Sequence, residues 1–191
     1  MAHIRHPPFF LEAPGPSSYK LASSSYFTWR KSMMRMSEKG RDLLSQWEGF
    51  ELRVYRDVAG LETIGVGHLL TADEKSSGVV IIRGAPVAYA GGLTKAQVLD
   101  LLGADLNTFE DAVSSSVTVG LRQNQFDALV SFSFNVGAGA FRKSTLLKVL
   151  NQGKYDEVPN QLRQWVRAGG KTVRGLVNRR ENEIRLWNDA V

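Results

Sequence analysis

The chain has 191 residues, of which 43% are hydrophobic and 23% are charged, a composition typical of a soluble globular protein. It contains no cysteine, which excludes disulfide bonds, thiolate zinc sites and a thiol nucleophile. Its three histidines include His3 and His6, which argues against a His-rich metal site in the rest of the chain. No apolar run approaches the roughly 18 residues that span a bilayer.

The net charge of +5 is distributed unevenly. Residues 142–191 carry eleven Lys and Arg against five acidic residues, whereas residues 37–141 carry eight against thirteen. A basic C-terminal third favours a polyanionic partner such as nucleic acid, lipid head groups or cell-wall polymer. The alternative is a solvated surface with surplus Lys and Arg, and the charge alone does not decide between the two.

Residues 1–36 mix Pro, Gly and Ser with scattered aromatic residues and show no sustained hydrophobic period. This pattern predicts a weakly ordered basic arm, with an envelope-binding arm as the functional alternative. The pattern of a signal peptide is lacking, because Glu12 and Pro14 interrupt the short apolar stretch. Residues 37–191 are predicted to form one domain.

The first predicted elements are a helix and a small sheet. Ser37 is a candidate N-cap for a helix that runs to Glu48. From Leu52 to Leu70 the residues become β-rich and are punctuated by glycines, which predicts a small antiparallel sheet. Residues 72–92 contain the apolar run VVII, which predicts either a further strand or a loop over the rim of a cleft.

The remaining elements are predicted to be helical. Thr94 and Gln97 form a capping-box pattern at the start of a long helix through VLDLLGADLNTFEDAV, in which Gly103 is a candidate break. The dense apolar spacing of residues 121–136 predicts a largely buried segment. Shorter helices are predicted at about 144–151, 155–167 and 173–188. The pattern predicts a mostly helical α+β fold.

The stretch EGFELRVYRDVAGLETIGVGHLLT gathers two carboxylates, Glu48 and Asp57, and the hydroxyl of Thr63. Cleavage of a glycosidic bond commonly needs one protonated carboxyl group and a second carboxylate. Burial beside Trp47 and the helix C-terminus would disfavour the charged form of Glu48, whereas Asp57 in a polar turn should stay ionised. The spacing alone leaves purely structural roles open, and Thr63 also suits a strand for its β-propensity.

The pattern E-x8-D-x5-T running into TIGVGHLLT is similar to the catalytic motif of the phage-type lysozymes, a family of glycoside hydrolases. The similarity continues in the same order through LTKAQ, FNVGAGAF with STLLKVLNQG, and GLVNRRENEIRLW. The resemblance covers residues 37–191. It implies a lysozyme-like fold, in which a long helix joins a small antiparallel β-sheet lobe to a helical lobe with an active-site cleft between them.

The resemblance implies an endolysin that hydrolyses the β-1,4 bond between N-acetylmuramic acid and N-acetylglucosamine in peptidoglycan for phage release. Glu48 then corresponds to the general acid of an inverting reaction, while Asp57 and Thr63 position and activate water. Phe134 suits the core equally well, and Pro159 leaves the register near Gln161 open. The positions that correspond to glycan contacts in the family are Leu69, Phe134, Ser144 and Gln161.

The resemblance also implies structural contacts. His68 is expected to form a buried pair with Asp105 on the long helix, and Arg179 is expected to face Glu48. An arginine there would favour the charged form of Glu48 and oppose the effect of Trp47. Arg180 and Arg185 are interpreted as part of a solvated helix face.

Partners and location are expected from the same family. Acid–base hydrolysis implies no metal and no organic cofactor. A monomer is expected to stay in the host cytoplasm until a holin opens the membrane, and then to act on the periplasmic cell wall. The basic helix at 173–188 is expected to contact lipopolysaccharide or the anionic wall, with no nucleic acid bound. The alternatives are a lytic transglycosylase, disfavoured by Asp57 and Thr63, and a non-catalytic basic module that binds envelope or nucleic acid.

Overall fold

The structure is a computed structural model that describes residues 34–57 and 60–189. The helices within these residues are α1 (Glu38–Glu48), α2 (Ala72–Ser77), α3 (Lys95–Asp105), α4 (Asn107–Ser116), α5 (Gln123–Val136), α6 (Ala138–Lys143), α7 (Thr145–Asn151), α8 (Val158–Leu162) and α9 (Arg174–Asn188). The strands are β1 (Glu51–Arg56), β2 (Glu62–Gly65), β3 (His68–Leu69), β4 (Val79–Ile82), β5 (Ala85–Ala88), β6 (Arg167–Ala168) and β7 (Lys171–Thr172). Across the described residues, no helix combines the length and apolar character needed to cross a bilayer.

The first helix begins where the sequence predicts, because the Ser37 hydroxyl oxygen accepts a hydrogen bond from the Gly40 amide. Met36, just before the predicted domain boundary at residue 37, also packs against the residues that follow it. Met36 is 1% exposed within the core, and its backbone amide donates to the Glu110 carboxylate at 2.7 Å. Most of the predicted arm, residues 1–33, lies outside the described residues.

The predicted small antiparallel sheet is confirmed. Strands β1, β2 and β3 lie side by side in that order, and both pairings are antiparallel. The register places Thr63 of β2 opposite Tyr55 of β1 on one side and opposite Leu69 of β3 on the other. The sheet therefore brings the segment around Asp57 next to the strand that carries Thr63.

The VVII run forms a strand, as one of the two interpretations predicts. It is β4, and it pairs with β5 in an antiparallel hairpin. Arg83 and Gly84 at its tip have positive φ angles of 51° and 79°, as a two-residue type I′ turn requires. The helix before the hairpin, α2, was not predicted, although Thr71 and Glu74 form a full capping box at its start.

The predicted long helix begins at its predicted cap, since Thr94 and Gln97 form the capping box of α3. The break falls at Leu106 rather than at Gly103. Leu106 is fully buried, with ψ of −17°, and it separates α3 from α4. The glycine is accommodated within α3, so the predicted break at Gly103 is wrong.

Helix α5 forms the centre of the helical part, where every residue from Asn124 to Ser133 is buried. Helices α4, α6 and α9 pack around it. The dense apolar pattern of 121–136 is thus confirmed as a buried element. The mostly helical α+β fold class is confirmed as well.

The prediction of one helix over 155–167 is wrong for its second half, because α8 ends at Leu162. Pro159 lies in the first turn of α8, where its missing N–H breaks no helical hydrogen bond. After α8 the chain forms the β6–β7 hairpin instead. Gly169 and Gly170 have positive φ angles of 55° and 77° in that turn, a conformation that ends helices and favours hairpins.

Candidate active site

Glu48 is the last residue of α1, and Gly49 turns the chain from this helix toward β1 with a φ angle of 95°. The Glu48 side chain is 25% exposed, and its Oε1 accepts a hydrogen bond from Arg179 Nη1. Trp47, the other neighbour considered from the sequence, packs against the hydrophobic core. Glu48 is therefore both accessible to solvent and bonded to a guanidinium group.

The backbone of Leu61 holds both Asp57 and Thr63. Asp57 Oδ1 accepts a hydrogen bond from the Leu61 amide at 2.9 Å, and the Asp57 amide donates to the Leu61 carbonyl at 3.0 Å. Thr63 Oγ1 donates to the same carbonyl at 3.1 Å. Thr63 is only 3% exposed. One turn thus orients the carboxylate and the hydroxyl together.

Tyr55 lies opposite Thr63 in the sheet, and sequence reasoning missed it. Because the two residues are directly paired, their side chains are on the same face of the sheet. Burial raises the pKa of Tyr55, and the negative charges of Glu51, Asp57 and Glu48 raise it further. The charges of Glu48 and Asp57 thus both contribute to the raised pKa of Tyr55.

Arg179 belongs to a network of buried charges. Its side chain is 8% exposed, and it donates from Nε to Glu183 Oε1 at 3.1 Å and from Nη2 to the Ser131 carbonyl at 3.2 Å. Ser131 Oγ also donates to Glu183 at 2.9 Å. The predicted contact between Arg179 and Glu48 is thus part of a larger arrangement between α5 and α9.

The interpretation of Arg180 as part of a solvated helix face is wrong, whereas Arg185 is exposed. Arg180 is fully buried, pairs with Glu183 Oε2 at 2.7 Å and lies 5.0 Å from the centroid of the Phe132 ring. Burial lowers its pKa, and the charge of Glu183 opposes that effect. The i, i+3 and i, i+4 spacing of R-R-x-x-E was a sequence signal for this network.

Two of the four predicted glycan contacts are Leu69, in the small sheet, and Phe134, beside the core. Leu69 in β3 is 49% exposed and lies opposite Thr63. Phe134 is half-buried against the core and packs edge-on against Phe109, with ring centroids 5.2 Å apart. Leu69 is therefore the predicted contact that the structure places beside the candidate catalytic residues.

The other two predicted glycan contacts are on the helical side. Ser144 is 4% exposed and caps α7, accepting from the Leu147 amide at 3.1 Å and donating to the Phe141 carbonyl at 2.7 Å. Gln161 lies half-buried in α8. The Ser144 hydroxyl thus has a structural role, and glycan contact at these two residues stays a prediction.

His68 connects three elements. Its Nδ1 lies 3.0 Å from the Asp105 carboxylate on α3, as expected, and its Nε2 lies 3.2 Å from Glu74 on α2, which sequence reasoning missed. The hydrogen bond to Asp105 raises the pKa of His68 above 6.5, burial opposes this, and the charges of Asp105 and Glu74 add to the increase. Nowhere in the described residues is a group of His, Asp and Glu side chains placed to hold a metal ion.

Comparison with known families matches residues 45–183 to the phage lysozyme model. The chain belongs to the phage lysozyme family. The matched region contains all ten predicted site residues, from Glu48 to Arg179.

Individual relatives agree with this assignment. The chain is 39% identical to an endolysin of Salmonella phage P22 over 155 residues, which covers 81% of this chain and 99% of the relative. It is also 39% identical to an endolysin of Bacillus phage PZA over 157 residues, which covers 81% of this chain. The chain spans about half the length of the two Bacillus phage endolysins that it matches.

Solved structures show the same fold. A crystal structure of a P22 lysozyme mutant has a TM-score of 0.69 and 38% identity, and the match covers 82% of this chain and 99% of that one. The muramidase domain of SpmX from Asticaccaulis excentricus has a TM-score of 0.66 and 30% identity, with 82% and 99% covered. The lysozyme-like fold class is confirmed.

The His68 contacts predict how the stability of this phage lysozyme depends on pH. Because the folded pKa is raised above 6.5, the added stability is fully present below that pH and is lost as the pH rises through the folded pKa. The His68→Asn variant should lower the free energy of unfolding at pH 5 by about 1 to 3 kcal/mol. Denaturant unfolding from pH 5 to pH 9 measures this, and the variant's curve should be flatter than the wild-type curve. The exposed Asp73→Asn variant is the control, and an unchanged pH dependence in His68→Asn would remove support for this role.

Proposed function

We propose that this phage lysozyme hydrolyses the β-1,4 bond between N-acetylmuramic acid and N-acetylglucosamine in bacterial peptidoglycan. Glu48 acts as the general acid, and Asp57 with Thr63 positions and activates the attacking water. The observation that carries the proposal is the match of residues 45–183 to the phage lysozyme family, because this region contains Glu48, Asp57 and Thr63. The 30% identity to a muramidase domain supports the proposed substrate.

The chemistry follows from the different anchoring of the two carboxyl groups. A protonated Glu48 donates to the leaving glycosidic oxygen, while Asp57 orients a water molecule on the opposite face of the sugar, which gives inversion. The Thr63 proton is engaged by the Leu61 carbonyl, so the Thr63 oxygen can accept a hydrogen bond from that water. The Leu61 amide fixes the orientation of the Asp57 carboxylate.

The glycan is proposed to run along the exposed edge at Leu69, with further contacts at Phe134, Ser144 and Gln161. Leu69 is best supported, because it is half exposed and lies opposite Thr63. Ser144 contributes mainly by holding the start of α7, since its hydroxyl is engaged within the protein.

Contact with lipopolysaccharide or the anionic wall is proposed as a secondary property of the basic C-terminal third. Two of the arginines of α9, Arg179 and Arg180, are buried in ion pairs and cannot take part. The exposed cations that support the proposal are Arg142, Lys143, Lys148, Lys154, Arg163, Arg167, Lys171, Arg174 and Arg185. The proposed protein is a monomer. It reaches the periplasmic wall from the host cytoplasm through a membrane lesion that a holin makes.

The products of peptidoglycan digestion test the reaction class. Hydrolysis leaves a reducing muramic acid end, which borohydride converts to muramitol, whereas a lytic transglycosylase leaves an anhydro end that does not react. Mass spectrometry of the released fragments is expected to show reduced ends only. The Asp57→Asn variant serves as the matched control, because it should release few fragments of either kind.

If anhydro ends were the main product, the reaction would be that of a lytic transglycosylase and not a hydrolysis. If the wild-type protein released no soluble fragments, the result would instead favour the non-catalytic basic module.

A further inference from the structure

Glu183 is a fully buried carboxylate that the proposed reaction does not use. It accepts hydrogen bonds from Ser131 Oγ at 2.9 Å and Arg179 Nε at 3.1 Å, and it pairs with Arg180 Nε at 2.7 Å. Burial raises the pKa of Glu183, and the charges of Arg180 and Arg179 oppose that shift. Because arginine stays protonated in proteins, two guanidinium groups at these distances favour the ionised form of this carboxyl group.

Arg179 connects this buried carboxylate to the proposed general acid. Its Nε donates to Glu183, its Nη2 to the Ser131 carbonyl and its Nη1 to Glu48. A planar guanidinium group that is held at two of its nitrogens has little freedom to rotate. The position of the donor at Glu48 is therefore set by Glu183 and Ser131.

The charges of the four side chains in this group balance one another. Arg179 and Arg180 are positive, and Glu48 and Glu183 are negative, so the group is neutral when both carboxyl groups are ionised. A general acid has to hold a proton before it can donate one. With Glu48 protonated the group carries one net positive charge, and without the charge of Glu183 it would carry two in a largely buried setting, where unpaired charge is costly.

We propose that Glu183 is a positioning residue for the hydrolysis. It orients Arg179 against Glu48 and offsets the guanidinium charge, so that Glu48 can hold the proton that it donates. The inference rests on the proposed role of Glu48 as the general acid. Glu183 acts through Arg179, because its side chain is 0% exposed and cannot reach a glycan.

The other groups around this cluster are either neutral or paired. Helix α5 contributes Ser131 and Asn135, whose Oδ1 accepts from Arg180 Nη2 at 2.9 Å. Where α8 packs against α9, Arg163 pairs with Glu181 at 2.8 Å near the surface. Helix α1 contributes Glu48, which accepts a hydrogen bond from Arg179. Glu183 is thus the carboxylate in direct contact with both buried arginines.

The Glu183→Gln variant tests the inference through the pH profile of kcat/KM. The alkaline limb, where the general acid loses its proton, is expected to shift to lower pH by about one unit, with KM little changed. The Glu183→Asp variant keeps the charge and is expected to restore the limb. The Glu181→Gln variant removes an acidic charge from the exposed side of the same helix and is expected to leave the profile unchanged.

A wild-type pH profile in a folded Glu183→Gln enzyme would overturn the inference, and so would an equal shift in Glu181→Gln. If Glu183→Gln does not fold, the Ser131→Ala variant tests the inference instead, because it removes the hydroxyl that donates a hydrogen bond to Glu183. Its kcat is expected to fall about threefold to tenfold at unchanged KM, and an unchanged kcat would overturn the inference. The proposed function fails by a separate result, full activity of Glu48→Gln.

Discussion

The Glu48→Gln variant is expected to lose about 10²- to 10⁴-fold in the rate of peptidoglycan hydrolysis, the range that general acid catalysis contributes. The amide cannot donate a proton to the leaving oxygen, but its carbonyl oxygen can still accept the hydrogen bond from Arg179. The fold should therefore survive, with a melting temperature close to that of the wild type. Loss of turbidity of permeabilised Gram-negative cells, with thermal unfolding alongside, measures both quantities.

The matched control is Glu38→Gln, which makes the same chemical change in the first turn of the same helix. It should keep wild-type activity. Full lysis by a folded Glu48→Gln enzyme would contradict the assignment of the general acid. Equal losses in both variants would point to damage to α1 instead of loss of the acid.

The Asp57→Asn variant is expected to lose at least about 100-fold in kcat, because a neutral amide activates water poorly. The asparagine oxygen can still accept the hydrogen bond from the Leu61 amide, so the turn that also orients Thr63 should remain intact. Steady-state kinetics on soluble glycan fragments should show a fall in kcat with a small change in KM. This split is expected because Asp57 is proposed to act on water rather than on the bound sugar.

Glu62→Gln is the control for Asp57→Asn. Glu62 lies between Leu61 and Thr63 and forms surface ion pairs with Arg56 and Lys75 at 4.0 and 3.7 Å. The variant should keep its activity, because exposed ion pairs contribute little. A folded Asp57→Asn enzyme with wild-type kcat would remove Asp57 from the mechanism.

Helix starts and the small sheet could be predicted from the sequence, because their causes are local. Ser37 and Thr94 cap α1 and α3 by accepting hydrogen bonds from backbone amides three residues on, so the responsible residues are neighbours in the chain. The break at Leu106 and the end of α8 could not be predicted in the same way. Leu106 is fully buried in the core, and a local pattern does not contain its contacts with residues that are distant in the chain.

The candidate site shows the same difference between local signals and contacts with distant residues. The predicted contacts of His68 with Asp105 and of Arg179 with Glu48 are present, because family resemblance carries information about distant pairs. The charge of Arg180 favoured a position on a solvated helix face, but Arg180 is fully buried. Its partner, Glu183, is on the same helix, yet only packing against α5 turns that pair from a surface contact into a buried one.

The anomeric form of the first product tests the central claim most directly. Time-resolved proton NMR of a soluble, uncross-linked glycan strand follows the new muramic acid end before it mutarotates. The wild-type enzyme is predicted to release the α anomer first, because a single attack by water held at Asp57 inverts the β-1,4 bond, and Glu48→Gln is predicted to release almost none. A β anomer as the first product, or an anhydro end with no anomeric signal, would contradict the account.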